Sequence, residues 1–310
     1  MQVHYGIDSF KNNSNAIVTS GTFDGVHFGH QKILSRLIEI AKKNDGESVV
    51  ITFWPHPRLV LNHDRSIKLL SSLEEKIELL DAFGIEHLLV IPFNEEFSRL
   101  TSEQFIQKIL VKAVGTKKLV IGYDHRFGRN REGSFEYLQK NATRFGFTVE
   151  EIPKQEIEEI AVSSTKIRHA LKEGDLDTAT HYLGRQYQIN GKVIKGNQIG
   201  RTIGFPTANI QVSDANKLIP KEGIYAVKVI VDEKILLGML NIGQRPTVDA
   251  AGQKVIEVNI FDFNEEIYNE NITVLFYKFL RSEQKFPGLS ELKAQLQKDQ
   301  KNTIKFFSGL

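Results

Sequence analysis

Gly21-Thr-Phe-Asp-Gly-Val-His-Phe-Gly-His30 is the stretch of the sequence that decides the fold. It lies between the short apolar run Ala16-Ile-Val-Thr19 and a helical pattern from Gln31 to Lys43. A glycine-rich loop that leaves a strand and opens a helix is typical of the phosphate-binding crevice of an open α/β sheet. The stretch therefore predicts an α/β domain with an anion site at this loop.

The rest of the first half continues the alternation of apolar strands and helical patterns. We expect further strands at 48–53, 87–91 and 118–122, and further helices at 73–83 and 102–113. Apolar strands bounded by helices are typical of β-α-β units with a parallel sheet. The fold class predicted for this half is α/β and Rossmann-like.

The second half has a different pattern, because the helical period disappears after Tyr187. We expect strands at 187–194, 223–231, 235–241, 255–263 and 272–279, followed by one helix at 289–306. Short strands separated by turn residues predict a small antiparallel β-barrel, here with a C-terminal helix. No long linker rich in Pro, Gly or Ser is visible, and we place the domain boundary at Gly184, which gives domains 1–184 and 185–310.

Length, charge and cysteine content restrict the class of protein. At 310 residues the chain exceeds the usual size of one hydrophobic core, which favours two domains. The net charge of +2 comes without a basic stripe, which argues against nucleic-acid binding. Zero cysteines exclude disulfides and thiolate metal sites. Without a signal segment or an apolar run of about 20 residues, we expect a cytoplasmic location and no membrane partner.

His27 and His30 are the candidate chemical groups of the first loop. A spacing of three places both side chains on one face of a helix, so both can contact one phosphate group. Gly29 between them allows a nucleotide to approach the backbone closely. Because strand, glycine-rich loop, paired histidines and helix coincide, a phosphate site is favoured over two unrelated loop histidines.

A second candidate for phosphate binding is Ala161-Val-Ser-Ser-Thr-Lys-Ile-Arg168. Ser164 or Thr165 is expected to cap a helix over 168–173, and Arg168 in its first turn has the fork geometry that suits phosphate oxygens. A capped surface helix without a ligand would have the same sequence. By itself the segment leaves both interpretations open.

The histidine loop resembles the HxGH nucleotidyltransferases, in which the histidines stabilise the triphosphate of a nucleotide during attack on its α-phosphorus. Two later stretches, Phe53-Trp-Pro-His-Pro57 and Gly122-Tyr-Asp-His-Arg-Phe-Gly128, look like the flavin-adenylating branch. Trp54 and His125 depart from that branch, where an acidic or small residue and a phenylalanine are expected. The resemblance implies catalysis by His27, His30 and Arg168, flavin binding by Asp124 (with ribose or metal as its other ligands), and ATP binding by Gly21, Thr22, Phe23, Asp24, Gly29, Ser164 and Thr165.

In the β-rich half, Gly200-Arg-Thr-Ile-Gly-Phe-Pro-Thr-Ala-Asn209 is the distinctive element. Thr207 and Asn209 are two apart, so their side chains face the same way in an extended segment and offer neutral oxygens to a hard cation. Mg²⁺ takes few protein ligands and completes its shell with phosphates and water. In isolation Pro-Thr-Ala-Asn is typical of a turn; the motifs around it favour a magnesium site.

Those motifs make residues 185–300 similar to the riboflavin kinase domain. They are 191–196, 218–225, 240–247, 255–264, 266–268 and 279–286. The resemblance implies that Glu257 is the general base for the riboflavin 5′-hydroxyl, that Arg281 and Phe286 contact the flavin, and that Gly191, Lys192 and Gly200 bind ATP. Asn269 stands where a glycine is expected, and asparagine tolerates the left-handed conformation such a turn requires.

Together the two halves resemble the bifunctional bacterial riboflavin kinase/FAD synthetase family. The resemblance implies phosphorylation of riboflavin to FMN by ATP, adenylylation of FMN to FAD with release of pyrophosphate, Mg²⁺ as cofactor, and apo-flavoproteins as downstream recipients. The chain lacks the P-loop pattern and the protein-kinase motifs. Three alternatives stay open: a flavin-sensing barrel without catalysis, a barrel that binds nucleic acid, and a different acceptor in the first domain.

Overall fold

The computed structural model describes residues 1–11, 15–61, 67–123, 125–153, 163–196, 199–244 and 254–309. The chain divides into two compact units, Met1–Ser164 and Thr165–Leu310, which we call the α/β unit and the barrel unit. The division falls at the beginning of a helix and places two helices before the first barrel strand in the barrel unit.

The α/β unit contains a six-stranded parallel sheet in the order β1-β4-β3-β2-β5-β6. Its strands are β1 (Gln2–Tyr5), β2 (Ala16–Ser20), β3 (Glu47–Trp54), β4 (His87–Pro92), β5 (Thr116–Gly122) and β6 (Thr148–Ile152). Strands β3 and β5 pair with β2 from opposite sides. The strand order therefore reverses at β2, and a crevice forms at its carboxyl end, where open α/β sheets bind their ligands.

Both faces of this sheet are covered. Val18, Ile51 and Leu89 pack into one apolar cluster, while their strand neighbours Ile17 and Val50 pack into another on the opposite face. A parallel sheet buried on both sides has nearly continuous apolar strands. For this reason the four central strands, β2 to β5, were predictable from the sequence, and all four are confirmed.

The helices of the α/β unit surround the sheet. They are α1 (Phe28–Lys43), α2 (Pro57–Leu61), α3 (Leu73–Ala82), α4 (Glu95–Ser98), α5 (Ser102–Phe105) and α6 (Phe135–Asn141), with 3₁₀ turns at Ile7–Ser9, Arg129–Arg131 and Ala142–Phe145. The helix expected at 102–113 is present but changes character, because α5 continues as a π-helix over Ile106–Val114.

Two strands of this sheet were not predicted, and charge explains one of them. In β6, Glu150 accepts hydrogen bonds from Arg36 and from Lys118, the latter at 2.7 Å. These polar contacts interrupt the apolar pattern by which a strand is recognised. The other, β1, is a half-exposed edge strand of four residues that pairs only with β4.

The barrel unit is a closed six-stranded barrel in the order β10-β11-β8-β7-β12-β9, with neighbouring strands antiparallel. Its strands are β7 (Tyr187–Ile194), β8 (Ala208–Gln211), β9 (Gly223–Val231), β10 (Lys234–Gln244), β11 (Lys254–Ile260) and β12 (Asn271–Arg281). Its helices are α7 (Ser164–Glu173), α8 (Leu176–Leu183), α9 (Ile199–Thr202) and α10 (Leu289–Phe307). The predicted antiparallel barrel with a terminal helix is confirmed.

The structure changes the bounds of two predicted elements and confirms one predicted turn. The strand expected at 255–263 ends at Ile260, since Asp262 adopts a left-handed φ of 53° in the following turn. The helix expected at 168–173 begins four residues earlier, so Ser164 and Thr165 lie in its first turn and do not precede it as caps. Asn269 adopts a φ of 70°, which confirms that asparagine supports the left-handed turn.

None of the helices in the described ranges combines the length and apolar character that crossing a bilayer requires.

Candidate active sites

The histidine loop lies at the carboxyl end of β2, where the strand order reverses. Residues 21–27 follow β2 directly, and α1 begins at Phe28 with His27 as its N-cap residue. The first N–H groups of a helix have no intrahelical partners, and the helix dipole adds positive potential. The geometry is that of an anion-binding site.

Asp24 holds this loop in its conformation. Its buried carboxylate accepts the backbone N–H of Leu70 at 2.9 Å and that of Ser71 at 3.1 Å. Phe23 and Val26 on either side adopt left-handed φ angles of 47° and 40°, which persist only where the surroundings enforce them. The Asp24 carboxylate, for which the resemblance implies ATP binding, is thus used to position the loop.

Gly21 and Thr22 join the loop to the sheet. The N–H of Gly21 donates to the carbonyl of Ile51 at 3.0 Å, and the Thr52 hydroxyl donates to the carbonyl of Thr22 at 3.3 Å. Both bonds fix the start of the loop to β3. Gly29 is buried in the first turn of α1.

His27 and His30 form a stacked pair. Their ring centroids are 3.8 Å apart and their planes differ by 14°. His30 Nδ1 is buried without a hydrogen-bond partner in the described part of the chain. Burial, and then the neighbouring His27 and Lys76, lower the pKa of His30 well below its usual value. At neutral pH His30 is therefore an uncharged imidazole with an N–H to donate.

Lys76 is a residue of this region that sequence reasoning missed. It lies in α3 with only 1% of its surface exposed, and its Nζ donates to the Thr52 hydroxyl at 3.4 Å. The sequence does indicate its burial, because Leu73, Lys76, Ile77 and Leu80 recur at the spacing of one buried helix face. Lysine is rarely buried on such a face unless it is paired.

His125 lies across the crevice, at the end of β5. Its Nε2 is 3.3 Å from the hydroxyl of Ser20 at the end of β2, and its ring stacks on Phe127. Burial, followed by the charges of Arg131 and Arg126, lowers the pKa of His125 to about 4. This departure from the expected phenylalanine therefore places an uncharged polar ring in the crevice. Asp124 lies outside the described residues.

Ser164, Thr165 and Arg168 lie in the first turns of α7. Ser164 is half-buried, with its hydroxyl 3.5 Å from the carbonyl of Asp24, whereas Thr165 is exposed and Arg168 half-buried. Thr165 and Arg168 are three apart and so lie on the same side of the helix.

In the barrel unit, Glu257 lies between two asparagines. It is directly opposite Asn209 of β8 and Asn241 of β10 in the antiparallel register. Side chains of directly opposed residues share one face of the sheet with Cβ atoms about 5 Å apart. The structure therefore brings together the predicted base, Glu257, and the predicted metal ligand, Asn209.

The glycine-rich loop lies against the predicted metal ligands. A Cβ atom on Gly196 would collide with the side-chain amide of Asn209, and one on Gly200 would collide with the Phe205 carbonyl and meet Thr207 at 3.6 Å. The amide of Asn259 donates to the carbonyl of Pro206 at 2.7 Å and fixes the turn before Thr207.

The backbone at Gly196 and Gly200 thus approaches Asn209 and Thr207 closely, an arrangement that suits a hard cation shared with phosphate oxygens. Within the described ranges, no cluster of three or more His, Asp or Glu side chains offers another metal site.

Gly191 and Lys192 lie inside β7, the strand expected at 187–194. A Cβ on Gly191 would come within 2.5 Å of the Ile210 side chain, so glycine is needed here for close packing of β7 on β8. Lys192 is exposed, two residues from Ile194, which pairs with Asn209.

Arg281 and Phe286 lie at the end of β12 and just beyond it. The Arg281 guanidinium donates to both carboxylate oxygens of the buried Asp299, with Nη2–Oδ2 at 2.7 Å and Nε–Oδ1 at 3.1 Å. Its other face lies 5.9 Å from the Phe286 ring centroid. Arg281 therefore ties α10 to the barrel, a role that the sequence did not reveal.

Asn241 is a second residue that the sequence analysis did not single out. Its Nδ2 donates to Glu283 at 3.2 Å, while its buried Oδ1 has no partner among the described residues. No local sequence pattern indicates this role, because Asn241 becomes a neighbour of Glu257 only when β10 and β11 pair.

Two family models match the chain in succession. Residues 9–166 match FAD synthetase, and residues 183–307 match riboflavin kinase. The chain belongs to the family of bifunctional riboflavin kinase/FMN adenylyltransferases. The family resemblance drawn from two separate sets of motifs is confirmed, and so are the predicted kinase and adenylyltransferase activities.

Relatives within this family align over nearly their whole length. The bifunctional riboflavin kinase/FMN adenylyltransferase of Buchnera aphidicola subsp. Schizaphis graminum is 41% identical, and the match covers 99% of each chain. That of Listeria monocytogenes is 41% identical over 96% of this chain and 94% of its own. The crystal structure of a macrolide-efflux protein from Streptococcus pneumoniae matches with a TM-score of 0.87 and 32% identity, over 97% of this chain and 98% of the other.

Proposed function

We propose that this transferase phosphorylates riboflavin at the Glu257 site of the barrel and adenylylates the resulting FMN at the histidine loop of the α/β unit. One observation supports the proposal: each unit brings together its own set of the side chains expected for phosphate chemistry. Stacked His27 and His30 lie at a helix start in the first, and Glu257 lies beside Asn209 in the second. The two sites offer different chemical groups, because one nucleophile is the ionised phosphate of FMN and the other is the hydroxyl of riboflavin.

In the adenylyl transfer, a phosphate oxygen of FMN attacks the α-phosphorus of ATP, and the bond to the departing pyrophosphate breaks. The nucleophile is already ionised, since a phosphate monoester loses its second proton at a pKa of about 6. No base is needed, and catalysis consists of positioning and stabilising charge. His27, His30 and the first N–H groups of α1 are suited to donate hydrogen bonds to the phosphates of ATP.

Several further residues are proposed for this reaction from the family resemblance. Arg168, Ser164 and Thr165 of α7 would contact phosphate oxygens with guanidinium and hydroxyl donors. Asp124 would contact the flavin nucleotide. The proposed lining of the ATP site consists of Gly21, Thr22, Phe23, Asp24 and Gly29.

In the kinase reaction, the riboflavin 5′-hydroxyl attacks the γ-phosphorus of ATP, the bond to the β-phosphate oxygen breaks, and ADP leaves. The hydroxyl proton goes to the Glu257 carboxylate, which requires a base within hydrogen-bond reach. Thr207 and Asn209 would hold Mg²⁺, which neutralises phosphate charge when it is bound. Gly191, Lys192 and Gly200 are proposed for ATP, and Arg281 and Phe286 for the flavin.

We place the functional boundary between the two enzymes near Gly184, since the riboflavin kinase match begins at residue 183.

We also propose a cytoplasmic location, because both reactions consume ATP and a chain without cysteine needs no oxidising compartment. The apo-flavoproteins that take up FMN and FAD are the proposed recipients of the products.

A time course tests the proposal. Purified protein is incubated with riboflavin, ATP and Mg²⁺, and the flavins are separated by chromatography. The expected result is that FMN accumulates first and FAD follows, with one pyrophosphate released per FAD, and that chelation of Mg²⁺ stops FMN formation. Release of pyrophosphate without any flavin acceptor would contradict the adenylyl-transfer assignment.

A further inference from the structure

Lys76 is held in the interior of the α/β unit by the start of α3. Ser72 caps this helix, its hydroxyl accepting the N–H of Glu75 at 3.2 Å while the Glu75 carboxylate accepts the N–H of Ser72 at 3.0 Å. This capping box fixes the first turn, and Lys76 follows it directly on the buried face. Only 1% of Lys76 is exposed.

The ammonium group of Lys76 is poorly compensated. Among the described residues its one hydrogen bond goes to the Thr52 hydroxyl, and at 3.4 Å that bond is long. The ring of Trp54 lies 5.2 Å away and offers a further weak attraction. No carboxylate in the described part of the chain forms an ion pair with Nζ. An ammonium group has three donors, so the described residues leave this buried cation with most of its hydrogen-bonding capacity unfilled.

Asp24 interacts electrostatically with Lys76 but compensates only part of the cost of burying its charge. Burial lowers the pKa of Lys76 to about 8, and Asp24 offsets only part of the effect. The Asp24 carboxylate oxygens accept the N–H groups of Leu70 and Ser71. Lys76 is therefore not one half of a structural ion pair.

The position of Lys76 shows what it faces. Thr52 and Trp54 lie at the carboxyl end of β3, which pairs with β2, and β2 leads into the histidine loop. The Thr52 hydroxyl, which accepts from Lys76 Nζ, donates to the carbonyl of Thr22 in the histidine loop, and the charge of Lys76 lowers the pKa of His30. Imidazole donors from α1 and an ammonium donor from α3 thus converge on the ligand-binding end of the sheet.

We propose that Lys76 Nζ binds a phosphate oxygen of the reacting substrates in the adenylyl-transfer site. This inference rests on the proposed function. The ligand chemistry is a phosphate anion, supplied either by ATP or by the acceptor FMN, and an anion contacting Nζ fills the remaining donors and compensates the buried charge. Lys76 then stabilises the charge that spreads over the phosphate oxygens during transfer.

The test compares Lys76→Met with Lys42→Met, which makes the same change at an exposed position of α1. FAD formation from supplied FMN should fall by about 10²-fold in Lys76→Met and stay unchanged in Lys42→Met. FMN formation from riboflavin should be unaffected in both. A raised KM for ATP would identify ATP as the source of the phosphate, and a raised KM for FMN would identify the acceptor.

Stability separates substrate binding from a structural role. Trp54 is the single tryptophan of the chain, so its fluorescence reports unfolding of the α/β unit around Lys76. Removing a poorly compensated buried charge should leave the Tm of Lys76→Met unchanged or raise it by about 2–4 °C. Loss of FAD formation together with a lowered Tm would overturn the proposal, and so would wild-type FAD formation by Lys76→Met.

The pH profile provides an independent readout. Asp24 and His30 are the titratable groups that face Lys76, and His30 is already uncharged above neutral pH. As the pH rises through about 8, wild-type protein loses the Lys76 charge, so its kcat/KM for FAD formation should decline. Lys76→Arg should keep activity to higher pH, and an identical profile would contradict the inference. If wild-type protein makes no FAD from FMN at any pH, the proposed function itself fails.

Discussion

We propose ATP binding at both the histidine loop and the Glu257 site, but the two sites are built from different chemical groups. At the histidine loop the side chains are two stacked imidazoles and a buried ammonium, and the Asp24 carboxylate accepts backbone N–H groups. In the barrel, by contrast, a carboxylate lies in the middle of the site, between two asparagines. The nucleophile explains the difference, because a phosphate is already ionised whereas a hydroxyl must lose a proton as it attacks.

The two units also differ in how they treat buried charge. In the barrel, Arg281 and Asp299 neutralise each other through two parallel hydrogen bonds. In the α/β unit, Lys76 has one long hydrogen bond to a hydroxyl. A paired buried charge serves the fold, whereas a poorly compensated one costs stability and is kept for a ligand.

The largest expected effect follows from removing the base. Glu257→Gln keeps the size and hydrogen-bonding capacity of the side chain but cannot accept the proton. FMN formation should fall by about 10²–10⁴-fold, while FAD formation from supplied FMN stays at the wild-type rate. Glu265→Gln, at an exposed residue of the same unit, serves as the control. Loss of both activities in Glu257→Gln would mean that the sites are not separate.

The reciprocal change is His30→Ala. Removing one donor to the developing phosphate charge should lower FAD formation by about 10²–10³-fold, with FMN formation unchanged. His181→Ala, at an exposed position of α8, is the matched control. Unchanged FAD production would remove His30 from the mechanism.

A third prediction concerns the buried ion pair of the barrel. Asp299→Ala leaves the half-buried Arg281 guanidinium without its carboxylate partner and should destabilise the barrel unit by about 1–3 kcal/mol. The measurement is chemical unfolding followed by far-UV circular dichroism. The double variant Arg281→Met with Asp299→Leu should recover most of the loss, and equal instability of both variants would show that the ion pair is not responsible.

The smallest effect expected is a decrease in the stability of the α/β unit as the pH falls. The pKa of His125 is lowered to about 4 and that of His30 is also lowered, whereas an unfolded histidine titrates near about 6.5. As the pH falls from 6.5 towards 4, the unfolded state binds protons first, so the free energy of unfolding decreases. The two histidines of the barrel unit, His169 and His181, are exposed.

Urea unfolding followed by Trp54 fluorescence at pH 7.5, 6 and 5 measures this dependence. His125→Phe introduces the residue that the family resemblance implies and should flatten the curve. If His125→Phe keeps the wild-type pH dependence, the protonation of His125 is not the cause.

The sequence predicted the elements whose residues are buried in a regular pattern. The central strands of the α/β unit were predictable because both their faces are buried, and the barrel strands because their apolar residues alternate. Strand β8 was missed because it has four residues and follows a glycine-rich turn. Its pairing partners, β7 and β11, are distant in sequence, so long-range contacts define it.

The same limit applies to the sites. The spacing of His27 and His30 and that of Thr207 and Asn209 could be read directly, because these pairs are local. Asn241 becomes a neighbour of Glu257 only through strand register, and Asp24 meets Leu70 and Ser71 across 46 residues. Contacts of this kind cannot be inferred from spacing. They explain why the sequence did not show that Asp24 also holds loop backbone in place and that Arg281 also holds a helix.

The central claim is that the two reactions occur at two separate sites linked only by the FMN that one makes and the other consumes. Mixing Glu257→Gln and His30→Ala proteins with riboflavin, ATP and Mg²⁺ tests it most directly. Glu257→Gln alone should form neither flavin nucleotide, and His30→Ala alone should stop at FMN. The mixture should form FAD, because FMN released by one variant is adenylylated by the other. A mixture that accumulates FMN without FAD, or forms neither, would contradict the account.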